Sequence, residues 1–119
     1  RVYAADPARV RVTLDIHDAR LKLNKAIPCG LLVNELLGNA IKHNGRGPGE
    51  SNIELRFLLK GSHYVLIVQD DGPGIPENVL TAKEKTLGMK IIEALCDQLG
   101  ASVSIERNGG TRFHITIPA

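Results

Sequence analysis

The chain has 119 residues, of which 43% are hydrophobic and 24% charged, and its formal net charge is +2. This length is enough for one domain with a real core, and the composition is that of a globular protein. The small net charge and the 3% aromatic content argue against nucleic-acid binding, and no apolar run approaches the ~20 residues of a membrane span.

The chain opens with a predicted strand, and a long predicted helix comes after it. Residues 10–16 alternate between apolar and polar side chains, which is typical of a half-buried strand. Residues 21–23 are interpreted as a short partner strand, and Asn24 as the N-terminal cap of the long helix. The helical pattern covers residues 26–43, with Pro28 in its first turn, where a missing N–H does little harm.

The polar half of this helix has an unusual composition for a surface helix. It consists of Asn34, Glu35, Gly38, Asn39, Lys42 and His43. Asn and Gly are poor helix formers, and Gly38 costs about 1 kcal/mol relative to alanine in a helix interior. A bare position beside two amides and a carboxylate indicates that something approaches the backbone here. We interpret this face as the wall of a site.

The rest of the chain predicts a hairpin, a second helix and a second strand pair. Residues 53–59 alternate, a turn covers 60–63 and a second strand segment covers 64–68, so residues 52–70 predict an antiparallel hairpin. The second helix begins at Gly88 and ends before Gly100, and strands follow at 101–106 and 112–117. This order predicts an α+β fold in two layers, with the helices on one face of a mixed, largely antiparallel sheet.

The two cysteines indicate the redox conditions of the cellular compartment in which the protein works. Cys29 and Cys96 lie inside apolar helical patterns and lack the spacing of metal ligands, so we expect two buried, reduced thiols. The expected location is therefore cytoplasmic, without direct membrane contact. Because the chain begins at Arg1 and not at methionine, we expect a piece of a longer protein, whose membrane attachment stays open.

Three segments, in the order helix face, turn and helix entry, carry a recognisable pattern. They are the Asn-Glu-Leu-Leu-Gly-Asn-Ala-Ile-Lys-His run of residues 34–43, the Asp-Asp-Gly-Pro-Gly turn from Asp70, and the Thr-Leu-Gly-Met entry from Thr86. They resemble the N, G1 and G2 boxes of the GHKL ATPase superfamily, and most closely those of sensor histidine kinases of the short-lid, HWE-like group. The resemblance implies a Bergerat ATP-binding fold over residues 1–119, with ATP and Mg²⁺ as cofactors.

The resemblance assigns roles to the polar face of the first helix. Asn39 matches the family's Mg²⁺ ligand, and a hard cation held mostly by ATP phosphates needs few protein oxygens. Glu35, one turn earlier, matches the catalytic position that orients or deprotonates a water in the hydrolysing members. Lys42 and His43 match phosphate-facing donors. A solvated helix face remains the alternative for Glu35 and Lys42, and a helix-end cap for His43.

The match to the G1 box implies which residues bind adenine. Asp70 corresponds to the carboxylate that accepts the adenine amino group, which discriminates against guanine because guanine presents an oxygen there. Gly72, Gly74 and Ile75 match nucleotide-binding positions of the same box. Asp71 stands where Asn is frequent in the family.

The G2 match is reduced, because only one glycine of the usual pair is present. Leu87 and Gly88 match nucleotide-binding positions at a helix N-terminus, where backbone N–H groups favour phosphate. Residues 77–85 match a short ATP lid, and Thr111 matches a threonine near adenine. A cross-strand threonine pair is the alternative for Thr111.

The resemblance implies the ATP-binding half of a sensor histidine kinase. Such a domain would transfer phosphate to a histidine on a dimerisation domain of the same full-length protein, with a response regulator downstream. The histidines here, namely His17, His43, His63 and His114, do not lie on a helical hairpin of that kind. Two alternatives stay open: a GHKL serine kinase of the anti-sigma type, and a nucleotide-binding interaction module without catalysis.

Overall fold

The protein is described by a computed structural model covering residues 10–17, 20–44, 51–72, 86–107 and 109–119. Its elements are β1 (Val10–Ile16), α1 (Leu23–Asn44), β2 (Ser51–Lys60), β3 (His63–Asp70), α2 (Leu87–Leu99), β4 (Ser102–Arg107) and β5 (Thr111–Pro118). The strands form one sheet in the order β1-β2-β3-β5-β4. Strand β1 runs parallel to β2, and the other neighbours are antiparallel. The predicted α+β class is confirmed.

The prediction of a short strand at residues 21–23 is wrong. Helix α1 already begins at Leu23, and the amides of Lys25 and Ala26 donate to the Lys22 carbonyl at 2.9 and 2.8 Å. Strand β1 pairs instead with β2, which follows α1 in the chain. Three alternating residues fit the first turn of an amphipathic helix as well as a strand, so the pattern could not distinguish the two.

The earlier start of α1 also corrects two positions near its N-terminus. Asn24 lies inside the helix and not at its cap, and Pro28 lies in the second turn. A proline there removes one intrahelical hydrogen bond, which a first-turn proline would not. The burial of Pro28 within the domain helps to hold the helix despite that loss.

The core lies between the two helices and the sheet, as the apolar stripes predicted. Its fully buried large side chains are Leu32, Leu36, Ile53, Leu55, Leu66, Ile92, Ile115 and Ile117. Burial along β5 alternates strictly, with every second residue from Thr111 inside. This period fixes the register of β5 against β3, since a slip of one residue would turn the apolar set outwards.

Helix α2 ends at the predicted glycine and begins at Leu87, one residue before the predicted start. The Thr86 hydroxyl accepts a hydrogen bond from the Met89 amide at 3.2 Å, and Gly100 closes the helix with φ 66°. Cys29 and Cys96 are free and buried, and burial raises the pKa of both thiols. Among the described helices, none combines the length and the apolarity that a membrane crossing requires.

Candidate nucleotide site

The polar face of α1 meets the first turn of α2. A Cβ added to Gly88 would lie 3.2 Å from Asn39 Oδ1, 3.3 Å from Asn39 Nδ2 and 3.5 Å from Glu35 Oε2. The side chains of Asn39 and Glu35 thus converge on the backbone of Gly88, and both are half-buried. Gly88 packs closely against this amide, and a Cβ there would require the Asn39 side chain to shift by a few tenths of an ångström.

A second part of the site lies where β3 ends and β5 begins. The side chains of Asp70 and Thr111 are 5% and 3% exposed, and they are the buried polar residues of the described chain. The Thr111 amide donates to Asp70 Oδ1 at 3.3 Å. A cavity of about 180 Å³ borders this pair. A buried carboxylate is costly unless hydrogen bonds hold it, so its position here indicates a specific function.

Gly110 makes the close approach of these two strands possible. Its φ is 133°, and an added Cβ would lie 2.0 Å from the Asp70 carbonyl oxygen and 2.9 Å from Asp70 Oδ1. No other residue type fits a contact this short against backbone. Gly110 therefore positions Asp70, although sequence reasoning assigned it no role.

The residue after Asp70 is tied to the neighbouring strand. The backbone amide of Asn52 donates to Asp71 Oδ1 at 2.6 Å, and its side-chain amide donates to Oδ2 at 3.0 Å. The Asp71 amide in turn donates to the Asn52 carbonyl at 3.2 Å. These bonds clamp the start of the glycine-rich turn to the start of β2. The hydrogen bonds from Asn52 lower the pKa of Asp71, the side-chain bond contributing most.

We expect Asp71 to stabilise the fold in a pH-dependent way. Because the folded-state pKa is lowered, this contribution is present above the ordinary aspartate pKa of about 3.9 and is lost as the pH falls through the lower folded value. Asp71 is exposed, so solvent screening keeps the effect below about 1 kcal/mol. The urea-unfolding free energies of the native protein and of Asp71→Asn should differ near neutral pH, and they should converge as the pH falls below the lowered folded-state pKa of Asp71. A difference that stayed constant with pH would contradict the clamp.

The other predicted site residues differ in where they lie and in how exposed they are. Lys42 is exposed on α1, and the backbone of His43 lies in the last turn of the same helix. Gly72 lies two residues after the end of β3, next to the clamp. Leu87 is 74% exposed at the first position of α2, so it has no packing role in the described part of the domain. Gly74, Ile75 and residues 77–85 lie outside the described residues.

The oxygen ligands on α1 suit Mg²⁺, which needs few protein ligands, better than a metal ion that is held by protein side chains alone. An amide oxygen and a carboxylate from Asn39 and Glu35 are hard ligands of the kind that Mg²⁺ takes. Among the described residues, no group of three or more His, Cys, Asp or Glu side chains could hold a metal ion alone. Any Mg²⁺ here would depend on further oxygens from a bound phosphate.

The elements that carry these parts of the site match a known protein family. A family model described as "Histidine kinase-, DNA gyrase B-, and HSP90-like ATPase" matches residues 24–119. The chain belongs to this ATPase family. The match includes both helices and the strands that bear Asp70 and Thr111, so the resemblance of the three boxes is confirmed at the level of the family.

The relatives include histidine kinases and an anti-sigma factor. Blue-light-activated histidine kinase 2 of Erythrobacter litoralis is 33% identical over 111 residues, which cover 92% of this chain and 32% of that protein. The solved histidine kinase domain of an Erythrobacter litoralis blue-light-activated kinase superposes with a TM-score of 0.85 at 32% identity, covering 92% of this chain and 52% of that one. The anti-sigma F factor of Clostridium kluyveri is 30% identical, covering 89% of this chain and 80% of that protein.

The comparisons support a histidine kinase catalytic domain as the kind of ATPase domain to which this chain is homologous. The chain spans about a third of the length of the Erythrobacter kinase. The activity of a complete protein of that size is therefore a matter of proposal.

Proposed function

We propose that this chain is the ATP-binding catalytic domain of a sensor histidine kinase. It would position Mg²⁺-ATP for phosphoryl transfer to a histidine on a dimerisation domain of the same full-length protein, with a response regulator as the next acceptor. The observation that carries this proposal is the buried Asp70 carboxylate at the end of β3, which accepts a hydrogen bond from the Thr111 amide at the start of β5. Its support is the homology to histidine kinase domains. The proposed location is the cytoplasm.

Asp70 would select adenine. A carboxylate presents only acceptors, so it pairs with the exocyclic amino group of adenine and repels the carbonyl oxygen of guanine. Thr111 would hold the carboxylate through its backbone amide. Gly72, Gly74 and Ile75 are proposed to line the base and sugar, since a glycine-rich turn lets a ligand come close to the backbone.

The phosphates would extend from the base toward the interface of the two helices. Asn39 is the proposed Mg²⁺ ligand, and the metal would draw negative charge from the β- and γ-phosphates. Leu87 and Gly88 place the N-terminus of α2 at this point, where backbone N–H groups favour anions. Lys42 and His43 are proposed as further phosphate donors.

Glu35 is proposed as the catalytic carboxylate of the site. It lies one turn before Asn39 and approaches the same backbone position of α2. An imidazole nucleophile needs little help from a base, so the main contribution of Glu35 would be to orient groups around the metal. The domain alone supplies position and charge stabilisation, and the acceptor histidine comes from elsewhere.

Phosphorylation of the full-length protein tests this proposal. Incubation with γ-labelled ATP and Mg²⁺ should give a protein-bound phosphate that acid removes and alkali does not, as expected for a phosphorylated imidazole. Loss of the label in Glu35→Gln, with ADP affinity retained, would assign the carboxylate to the transfer step. Absence of any label despite tight ADP binding would overturn the histidine kinase assignment and leave the serine kinase and the interaction module as the candidates.

Removal of the Asn39 amide should mainly change the response to Mg²⁺. Without Mg²⁺ we expect ADP to bind native protein and Asn39→Ala with similar affinity, and with Mg²⁺ we expect only the native protein to gain, by about tenfold. Titration calorimetry of both proteins, with and without the metal, measures this. Asn24→Ala, which changes an exposed amide near the other end of the same helix, is the matched control. An equal gain in Asn39→Ala would show that the metal is held without this amide.

A serine kinase of the anti-sigma type is the second candidate. The specific observation in its favour is the similarity to the Clostridium anti-sigma F factor, which is 30% identical and is covered over 80% of its length. The chemistry of the product distinguishes the two, because phosphoserine resists acid and is lost in alkali. An acid-stable label on a separate partner protein would select this candidate.

A further inference from the structure

The sheet has a second apolar group on the face that the described helices leave open. Val65 and Ile67 of β3 are 8% and 5% exposed, yet they lie outside the core between the helices and the sheet. That core includes Tyr64, Leu66 and Val68 of the same strand. Because side chains alternate between the two faces of a strand, Val65 and Ile67 lie on the opposite face, which we call the outer face.

A depression of about 540 Å³ lies on the outer face and extends over β2, β3 and β5. We call it the outer depression. Its apolar floor consists of Leu58, Val65 and Ile67. The ionisable side chains that line it are, among the described residues, all basic, namely Arg56, Lys60, His63, Arg112 and His114. An apolar centre with a polar rim is the usual anatomy of a protein–protein interface.

The basic side chains surround the apolar floor on several sides. Arg56 on β2 and His114 on β5 are the direct cross-strand neighbours of Ile67. Lys60 and His63 form the last pair of the β2–β3 hairpin, beyond one end of the floor. A partner that covers the floor would therefore meet positive charge at its flanks and at one end.

Arg112 extends the basic rim to the other end of the outer depression. Its Nε is buried and has no hydrogen-bond partner in the part of the chain that the structure describes. A buried donor without an acceptor is costly, and a guanidinium group offers donors in a fork that matches a carboxylate. Arg56, by contrast, already donates to Asp15 at 3.4 Å. The rim thus keeps unused capacity for an anionic partner.

The acidic side chains of the outer face lie beside the outer depression and not in its lining. Glu54 and Glu106 lie at the same end as Arg112. Asp15 lies on the edge strand β1, next to Arg56. An acidic partner is therefore attracted most strongly to the opposite end, near Lys60.

The dimensions of the outer depression suit an α-helix. Three neighbouring strands span about 10 Å, and a helix with its side chains is about 10–12 Å wide. Lys60 pairs with His63, and Arg112 pairs with Gln69. At about 3.4 Å per residue along β3 the two pairs are about 20 Å apart, which is the length of about 13 helical residues.

Other occupants fit the outer depression less well. A second copy docked through the same face would bring the two basic rims together, and like charges in an interface are unfavourable. The described rings of phenylalanine and tyrosine, at positions 57, 64 and 113, are buried in the core on the other side of the sheet. Nucleic-acid bases would therefore find no phenylalanine or tyrosine among the described residues on which to stack.

We propose that the outer depression docks an amphipathic helix of a partner protein, whose apolar stripe is flanked by aspartate and glutamate. The stripe would cover Leu58, Val65 and Ile67, and the carboxylates would meet the basic rim. Glu35 and Asn39 lie in the helix layer on the opposite side of the sheet. Docking therefore leaves that face free, and this inference does not depend on the proposed function.

A pair of synthetic helical peptides tests the charge and the shape of the occupant. One peptide carries a leucine stripe at i, i+3, i+4 and i+7 spacing flanked by glutamates, and the other has lysines in place of the glutamates. Fluorescence anisotropy with the native protein should show the acidic peptide binding at least about tenfold more tightly. Its affinity should fall about tenfold as salt rises from about 50 to 500 mM. Equal affinities of the two peptides would overturn the proposal.

Charge reversal tests where the acidic peptide binds. Lys60→Glu should weaken its binding about tenfold. Lys22→Glu, the same reversal at an exposed position before α1, should change the affinity by less than about twofold. Circular dichroism checks that both variants keep the native fold. Equal losses in the two variants would show a general attraction to the protein and would overturn docking in the outer depression.

Thiol protection distinguishes the two faces of the sheet. Leu58→Cys places a thiol in the floor of the outer depression, and Leu59→Cys places one on the other face of the same strand. The native cysteines give little background, because both are buried and burial raises the pKa of their thiols. The acidic peptide at saturation should slow maleimide labelling at position 58 by about tenfold and leave position 59 unchanged. Protection at 59 alone, or at neither position, would contradict the docking.

A crosslink from the Leu58→Cys thiol identifies the natural occupant. A benzophenone attached there in the full-length protein, exposed to light in an extract of the native cells, should join to an acidic amphipathic helix of another protein. Mass spectrometry of the crosslinked peptide reads its sequence. A crosslink to nucleic acid, to lipid, to a second copy of this chain or to a protein segment without that pattern would overturn the proposed occupant. The absence of any crosslinked protein would do the same.

Discussion

Asp70→Asn is expected to weaken ADP binding by about 10- to 100-fold, equivalent to about 1–3 kcal/mol, while the fold is retained. Asp70 Oδ1 already accepts a hydrogen bond from the Thr111 amide. An asparagine has a single side-chain oxygen, so it must either leave that amide without its partner or turn its NH₂ group toward the adenine amino group. Both arrangements bring donors together in a buried place.

Calorimetric titration with ADP measures this loss. Asp97→Asn, the same substitution on the exposed face of α2, is the matched control and should bind ADP like the native protein. Unchanged affinity in Asp70→Asn, with circular dichroism showing an intact fold, would mean that the base is not held by this carboxylate. Loss of affinity in both variants would point to a general effect of charge.

Gly110→Ala is expected to have the largest effect on stability, a loss of about 3 kcal/mol or more in the free energy of unfolding. The new Cβ would meet the Asp70 carbonyl oxygen at 2.0 Å and the carbonyl carbon at 2.8 Å. Relief of that contact requires β3 and the start of β5 to separate, which also moves the Asp70 carboxylate. In the fraction that folds, we expect ADP affinity to fall as well.

The neighbouring glycine provides an internal control for backbone strain. Gly109 also has a positive φ, 71°, but nothing lies within 4 Å of its Cβ position. Gly109→Ala should therefore cost only about 1 kcal/mol, which is the strain of the left-handed backbone. Urea unfolding of the two variants separates the cost of the close contact with Asp70 from the cost of the backbone strain. Equal losses would show that the contact with Asp70 does not contribute.

Local patterns in the sequence were sufficient for most of the architecture. The alternation of residues 53–57, the polar turn at 60–63 and the apolar run at 64–68 predicted the β2–β3 hairpin. Gly100 predicted the end of α2. Each of these signals acts within a few neighbouring residues. The segment 21–23 was mistaken for a strand, since three residues are too few to show a period. The parallel pairing of β1 with β2 joins residues 41 positions apart, such as Val12 and Ile53, which no local pattern encodes.

In the candidate site, too, some residues could be predicted from the sequence and others could not. Motifs predicted Glu35, Asn39, Asp70 and Thr111 as site residues, because the chemistry of their side chains is visible in the sequence. Asn52 and Gly110 were not, because their importance comes from what lies opposite them in the folded sheet. A glycine next to a turn looks the same whether its backbone is merely bent or pressed against a carboxylate. Only the register of β5 against β3 distinguishes the two.

The central claim is that this domain holds an adenine nucleotide at Asp70. The most direct test is calorimetric titration of the native protein with ADP and with GDP, each in the presence and absence of Mg²⁺. We expect ADP to bind, more tightly with Mg²⁺, and GDP to bind at least about 100-fold more weakly, because its carbonyl oxygen faces the carboxylate. Equal binding of ADP and GDP would contradict the role of Asp70, and binding of neither would contradict the nucleotide site as a whole.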